Sequence, residues 1–151
     1  MIEKNKTILL VEDNPDDEEL ARVALTENHI ANELVVVRDG QEALDYLFAA
    51  GKYSGRDVCD QPQLILLDLK LPKIGGLEVL RRIRADNLTR YLSVVILTSS
   101  KEESDLVESY SLGANSYIRK PVDFTHFVDT VRQLGLYWLA LNETVAPECC
   151  R

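Results

Sequence analysis

After Thr7 the chain runs Ile8-Leu9-Leu10-Val11 with no polar residue between. A continuous apolar run of this length predicts a strand covered on both faces. Asn14 then fits a helix N-cap and Pro15 the first helical position. Asp16, Asp17, Glu18 and Glu19 follow where the helix dipole favours anions, and they read as solvated first-turn residues. Leu20, Val23 and Ala24 supply the predicted buried face.

The same alternation recurs four more times. Glu33-Leu34-Val35-Val36-Val37 predicts a strand, Asp39-Gly40 a turn, and Ala43, Leu44, Leu47 and Phe48 a helix. Residues 51–62 carry Gly51, Ser54, Gly55, Asp60 and Pro62 and read as a long loop. Leu64-Ile65-Leu66-Leu67-Asp68 predicts the third strand. Pro72, Gly75 and Gly76 break the chain before a helix with Leu77, Leu80 and Ile83 on one face. Val94-Val95-Ile96-Leu97-Thr98 predicts the fourth strand, and a helix from about Glu102 to Leu112 stops at Gly113. Tyr117-Ile118-Arg119 predicts the fifth strand, ending at Lys120-Pro121. A last helix is expected from about Asp123 to Leu141, with Phe124, Phe127, Val131, Leu134 and Trp138 on its apolar face. Five β–α units with continuous apolar strands imply an α/β fold, a parallel sheet with helices on both faces.

Such sheets place their sites at the carboxyl ends of the strands. Glu12 and Asp13 follow the first strand, Asp68 ends the third, Thr98 the fourth, and Lys120 follows the fifth. Each alone has an ordinary explanation as a turn, cap or surface residue. Their joint placement on one rim does not. Three carboxylates together need a cation, and all-oxygen ligands suit Mg2+, with Mn2+ as an alternative. A carboxylate can also act as a nucleophile toward phosphorus. Asp68 is the best-placed acceptor, Glu12 and Asp13 the metal holders, and Thr98 and Lys120 the groups for phosphoryl oxygens.

Composition narrows the setting. The 151 residues include 17 Lys plus Arg against 25 Asp plus Glu, a net charge of −8. That balance argues against binding to nucleic acid or anionic membrane through bulk charge. No segment approaches a membrane span or a signal peptide, which suggests a soluble cytoplasmic protein. Cys59, Cys149 and Cys150 are too few for a disulfide framework and read as free thiols in a reducing compartment. With His29 and His126 as the only histidines, no zinc spacing exists. A Gly-x-Ser-x-Gly elbow and a Walker-type loop are both absent. A flavodoxin-type carrier would need phosphate-cradling N–H groups after the first strand, where this chain has Glu12-Asp13-Asn14-Pro15-Asp16-Asp17.

The chain resembles the response-regulator receiver domain of two-component signalling from about Lys6 to Leu141. Four stretches carry the resemblance: Ile8 to Asn14, Leu66 to Pro72, Leu97-Thr98-Ser99 and Gly113 to Pro121. The intervals from Asp68 to Thr98 and from Thr98 to Lys120 are also similar to those of the family. The resemblance implies a flavodoxin-like sheet of order 2-1-3-4-5. It implies that Asp68 takes a phosphoryl group from a phosphohistidine on a sensor kinase, without external turnover as an enzyme. Glu12, Asp13, Asp68 and the backbone carbonyl of Lys70 would hold Mg2+. Thr98 and Tyr117 would form the switch pair, Lys120 would bind the phosphate, and Lys120-Pro121 would be cis. Gly75-Gly76 departs from the commoner Asp-Gly, which should alter a turn and not the chemistry. Lys70 stands beside the acceptor at a position that influences phosphate lifetime.

The loop at 51–62 and Tyr137-Trp138-Leu139 look like the single-domain receivers paired with phytochrome-type sensor kinases. Residues 1–142 are then the receiver and 143–151 a tail, with no room for an output domain. The signal would leave through protein contacts, to a downstream protein or a histidine phosphotransfer protein. Tyr137 and Trp138 are adjacent and cannot share one helix face, and Leu136 and Leu139 widen the apolar arc. The expectation is a homodimer through the last helix and the neighbouring strand edge. A receiver-like binding module that is never phosphorylated is the alternative, and the complete acidic, Thr and Lys set argues against it.

Overall fold

The computed structural model describes residues 6–26, 33–121 and 123–147. Its elements are β1 (Thr7–Val11), α1 (Pro15–Thr26), β2 (Glu33–Val37), α2 (Gly40–Leu47), β3 (Leu64–Leu67), α3 (Gly76–Ala85), β4 (Val94–Thr98), α4 (Glu103–Ser111), β5 (Ser116–Arg119) and α5 (Phe124–Gly135). All strand pairs are parallel, in the order β2-β1-β3-β4-β5. His29, Cys149 and Cys150 lie outside the described residues.

The continuous apolar strands divide by alternation between two cores. Leu9, Val11, Ile65, Leu67, Val94 and Ile96 face α2 and α3, where they meet Ala43, Leu44, Leu47, Val79, Leu80 and Ile83. Ile8, Leu10, Leu64, Leu66, Val95 and Leu97 face α1 and α5, against Ala21, Ala24, Leu25, Phe127 and Val131. A strand buried on both sides has no solvent face on which to place polar residues, hence the unbroken runs.

Several local expectations change. The buried stripe of α1 is Ala21, Ala24 and Leu25, while Leu20 and Val23 are only half-buried. Asp39-Gly40 is not a free turn: Asp39 caps α2 by accepting from the Glu42 N–H at 2.7 Å, and Glu42 returns the bond to the Arg38 N–H at 3.0 Å. This reciprocal arrangement is a capping box displaced by one residue. Glu42 also accepts from the Tyr53 hydroxyl at 2.8 Å and pairs with Lys52 at 2.7 Å, which fastens the long loop to α2. Burial would raise the Glu42 carboxyl, but Lys52, the Arg38 N–H and the Tyr53 hydroxyl together lower it to about 2.

The last helix does not run evenly to Leu141. α5 ends at Gly135, and Leu136–Leu141 continues it in π-helical winding. The i→i+5 pattern shifts the phase by about one residue per turn. Leu139 therefore enters the core beside Phe127 and Val131, where even winding would have favoured Trp138. Phe124, expected on the apolar face, is the first residue of α5 and is 62% exposed. Tyr137 is half exposed and Trp138 packs partly on the core, yet their rings still meet edge to face at 5.1 Å.

Two further corrections concern covalent structure. The Lys120-Pro121 peptide is not cis: the described residues contain no cis bond, and trans is the lower-energy isomer before proline. Cys59 is disulfide-bonded and not a free thiol. Residues 142–147 fold back toward the same side of the molecule: Gln63 Nε2 donates to Thr144 Oγ1 at 3.2 Å, and Pro147 is buried near Leu88 and Leu92. The tail thus runs beside the loop that carries Cys59. Among the described residues, no helix is long and apolar enough to cross a membrane.

Candidate functional site

Parallel register builds the site. Val11 pairs with Leu67, Leu67 with Ile96, and Thr98 with Arg119, so β1, β3, β4 and β5 end on one rim. Backbone bonds carry the register past the strands: the Asp68 N–H donates to the Val11 carbonyl at 3.1 Å, and the Lys120 N–H to the Thr98 carbonyl at 2.8 Å. Glu12, Asp68, Thr98 and Lys120 are thereby brought together, as the sequence predicted.

Carboxylate oxygens of Glu12, Asp13 and Asp68 lie within 4.8 Å of one another. Glu12 and Asp68 are buried, whereas Asp13 is exposed and leaves the trio open to solvent. The donor set is all carboxylate, which suits a hard divalent cation. Glu12 Oε2 is buried without a hydrogen-bond partner among the described residues, a lone pair available to such an ion. The residues present therefore fit the metal that the sequence implied. The Lys70 side chain is exposed, and its N–H donates to Asp68 Oδ1 at 3.3 Å, which places its peptide beside the Asp68 carboxylate.

Lys120 reaches into this acidic group with its side chain only 9% exposed. Its ammonium donates to Asp68 Oδ2 at 2.9 Å, to Asp17 Oδ2 at 2.8 Å and to Glu12 Oε1. Burial disfavours the charge of Lys120, but the three carboxylates outweigh it and raise its pKa. Glu12 is pushed the other way from a normal carboxyl, up to about 8, by burial first and then by the adjacent Asp68, against the pull of Lys120. Burial would raise Asp68 as well. The neighbouring Glu12 carboxyl, the Lys120 charge and the Thr98 hydroxyl instead hold it below the usual carboxylate range.

Thr98 is fully buried, and its Oγ1 accepts from the Ser100 N–H at 3.3 Å. Ser100 Oγ donates to Asp105 in the first turn of α4 and accepts from the Glu102 N–H at 3.2 Å. Tyr117 is half-buried on β5, and its hydroxyl donates to the Ser100 carbonyl at 3.5 Å. Thr98 and Tyr117, matched from sequence as a switch pair, are therefore linked through Ser100. One contributor was missed in the sequence. Asp17 was read as a solvated first-turn residue but contacts Lys120 from α1. Ser100 follows Thr98 on the predicted rim, but the sequence alone assigned it no role.

The profile of the response regulator receiver domain family matches residues 8–132. The response regulator Rcp1 of Synechocystis sp. is 38% identical over 134 residues, covering 89% of each chain. The crystal structure of a phosphorylated cyanobacterial phytochrome response regulator, RcpA, is similar with a TM-score of 0.88 and 39% identity, covering 94% of this chain and 99% of that one. The bacteriophytochrome response regulator AtBRR is 52% identical with a TM-score of 0.72, over 93% of this chain and 100% of that one. A structure of Rcp1 in its Mn2+-bound form matches with a TM-score of 0.86 and 37% identity, over 93% of this chain and 99% of that one. With its sheet order, its acidic rim and these relatives, the chain belongs to the response regulator receiver domain family.

Proposed function

We propose that Asp68 accepts a phosphoryl group from a phosphohistidine on a phytochrome-type sensor histidine kinase, with Mg2+ held by Glu12, Asp13, Asp68 and the Lys70 carbonyl. The observation that carries this reading is the Lys120 ammonium at 2.9 Å from Asp68 Oδ2, beside a carboxylate trio within 4.8 Å. The bound dication would supply charge neutralisation at the phosphoryl oxygens. Lys120 orients the Asp68 carboxylate and offers a point charge to a phosphoryl oxygen, while the buried Thr98 hydroxyl stands ready as a further donor. The relatives named as phytochrome response regulators, one solved phosphorylated and one solved with Mn2+, support the reading. The chain acts as an acceptor that hydrolyses its own acyl phosphate, with no external substrate to turn over. An ATP-fed kinase partner puts it in the cytoplasm.

The test is labelling by acetyl phosphate with Mg2+, read as a mass shift of the intact protein. Wild type takes up one phosphoryl group and Asp68→Asn takes up none while keeping its fold. Equal labelling of the two would remove Asp68 from the acceptor role.

The output of this reading is a protein contact, made by a homodimer and by a downstream protein or histidine phosphotransfer protein. A groove of about 320 Å³ lies between β5 and the end of α5, lined by Ile118, Leu134, Tyr137 and Trp138 among others. Leu136 and Tyr137 beside it are 43% and 50% exposed. Sedimentation at micromolar concentration should show a dimer that Tyr137→Glu dissociates. Monomers of wild type, with and without phosphorylation, would refute it.

A further inference from the structure

A lysine ammonium has three N–H donors. In this structure all three are taken by carboxylates, those of Glu12, Asp17 and Asp68. Under the receiver reading, on which this inference rests, two of those partners change during the reaction. Glu12 belongs to the metal-holding trio, and Asp68 becomes the acyl phosphate. Asp17 belongs to neither group. It sits in the first turn of α1, where its own N–H donates to Asn14 Oδ1 at 3.3 Å, and its side chain is 23% exposed.

We propose that Asp17 is a positioning residue for phosphoryl transfer, anchoring the Lys120 ammonium from α1 while Glu12 and Asp68 exchange partners. The step itself balances without Asp17. An Asp68 oxygen forms the bond to phosphorus, the bond from phosphorus to the donor breaks, and acetate or imidazole leaves with the electron pair. Lys120 keeps its protons throughout. What Asp17 supplies is placement. Lys120 has a flexible four-carbon stem, and a point charge misplaced by about 1 Å loses much of its effect on an in-line displacement. The anchor also explains why an acidic residue is tolerated so near an incoming phosphate: its charge is spent on the ammonium at 2.8 Å.

The experiment compares wild type, Asp17→Asn and Asp17→Ala in acetyl phosphate labelling at saturating Mg2+. Calorimetric Mg2+ titration without phosphodonor and thermal unfolding are run beside it. Asp17→Ala should label about tenfold more slowly, as expected for one lost charge-assisted hydrogen bond, with Asp17→Asn between it and wild type. Mg2+ affinity should stay unchanged, because Asp17 is outside the metal trio. A helix-capping role alone would lower the unfolding midpoint and leave the labelling rate at wild type. Wild-type rates in both variants, faster labelling, or a slowing matched by an equal loss of Mg2+ affinity would each overturn the proposal. If Asp17→Ala does not fold, the nearly isosteric Asp17→Asn decides. Absence of labelling in wild type would instead overturn the acceptor reading of Asp68, so the two failures are distinguishable.

Discussion

Gly76 and Asp68 touch through their backbones: a Cβ at position 76 would stand 2.2 Å from the Asp68 carbonyl oxygen and 2.7 Å from the Leu69 Cα. The Gly76 N–H also donates to the Leu69 carbonyl at 2.9 Å. The start of α3 is thus seated directly on the loop that presents Asp68. Gly75, by contrast, has only one neighbour, at 3.8 Å, so that position accepts a side chain.

Gly76→Ala should therefore disturb the site as well as the fold. Overpacking against backbone costs about 1–3 kcal/mol, since neither partner can rotate away. The loss is read from urea unfolding, with slower acetyl phosphate labelling as the local signature. Gly75→Ala is the control and should leave labelling unchanged.

Lys120 is the one cation within hydrogen-bond reach of Glu12, Asp17 and Asp68 among the described residues. Removing a single partner from a buried ionic group leaves uncompensated charge, at a cost of about 3–5 kcal/mol. Lys120→Met should lose stability on that scale without divalent ions. Mg2+ should restore part of it, because an ion that binds only the folded state at about 100 times its Kd adds about 2.7 kcal/mol. Unfolding curves with Mg2+ and with chelator check both halves. Asp13→Asn should weaken the recovery.

Glu42 sets an acid limit for the loop that follows α2. Its folded carboxyl is lowered to about 2 from a reference of 4.5. The stabilisation is therefore fully present above about pH 4.5 and is lost as pH falls through that interval toward 2. Amide exchange or proteolysis within residues 51–62 should accelerate over that window in wild type. Glu42→Gln should show the faster exchange at neutral pH and a flatter acid response.

The sequence was most informative where one constraint acts on many residues at once. Unbroken apolar runs marked the three central strands β1, β3 and β4, because strands covered on both faces leave no solvent-facing positions. Residues at the strand ends had to meet at one rim, so Glu12, Asp13, Asp68, Thr98 and Lys120 could be chosen before any coordinates. Asn14 and Pro15 marked the start of α1 through local backbone chemistry alone.

Tertiary structure decided whatever depends on distance between segments remote in sequence. Asp17 and Asp16 look alike in the chain, both acidic and both in a first turn. Only the approach of Lys120, 103 residues away, separates a site residue from a solvated one. The π-wound end of α5 placed Leu139 in the core, because packing against α1 and the sheet outweighed the even helical period. The return of Thr144 to Gln63, 81 residues away, is likewise a contact that spacing along the chain does not encode. Periodicity is a local property and reports which face of an element is buried. Which charges meet across the rim is set by packing, and only the folded chain contains it.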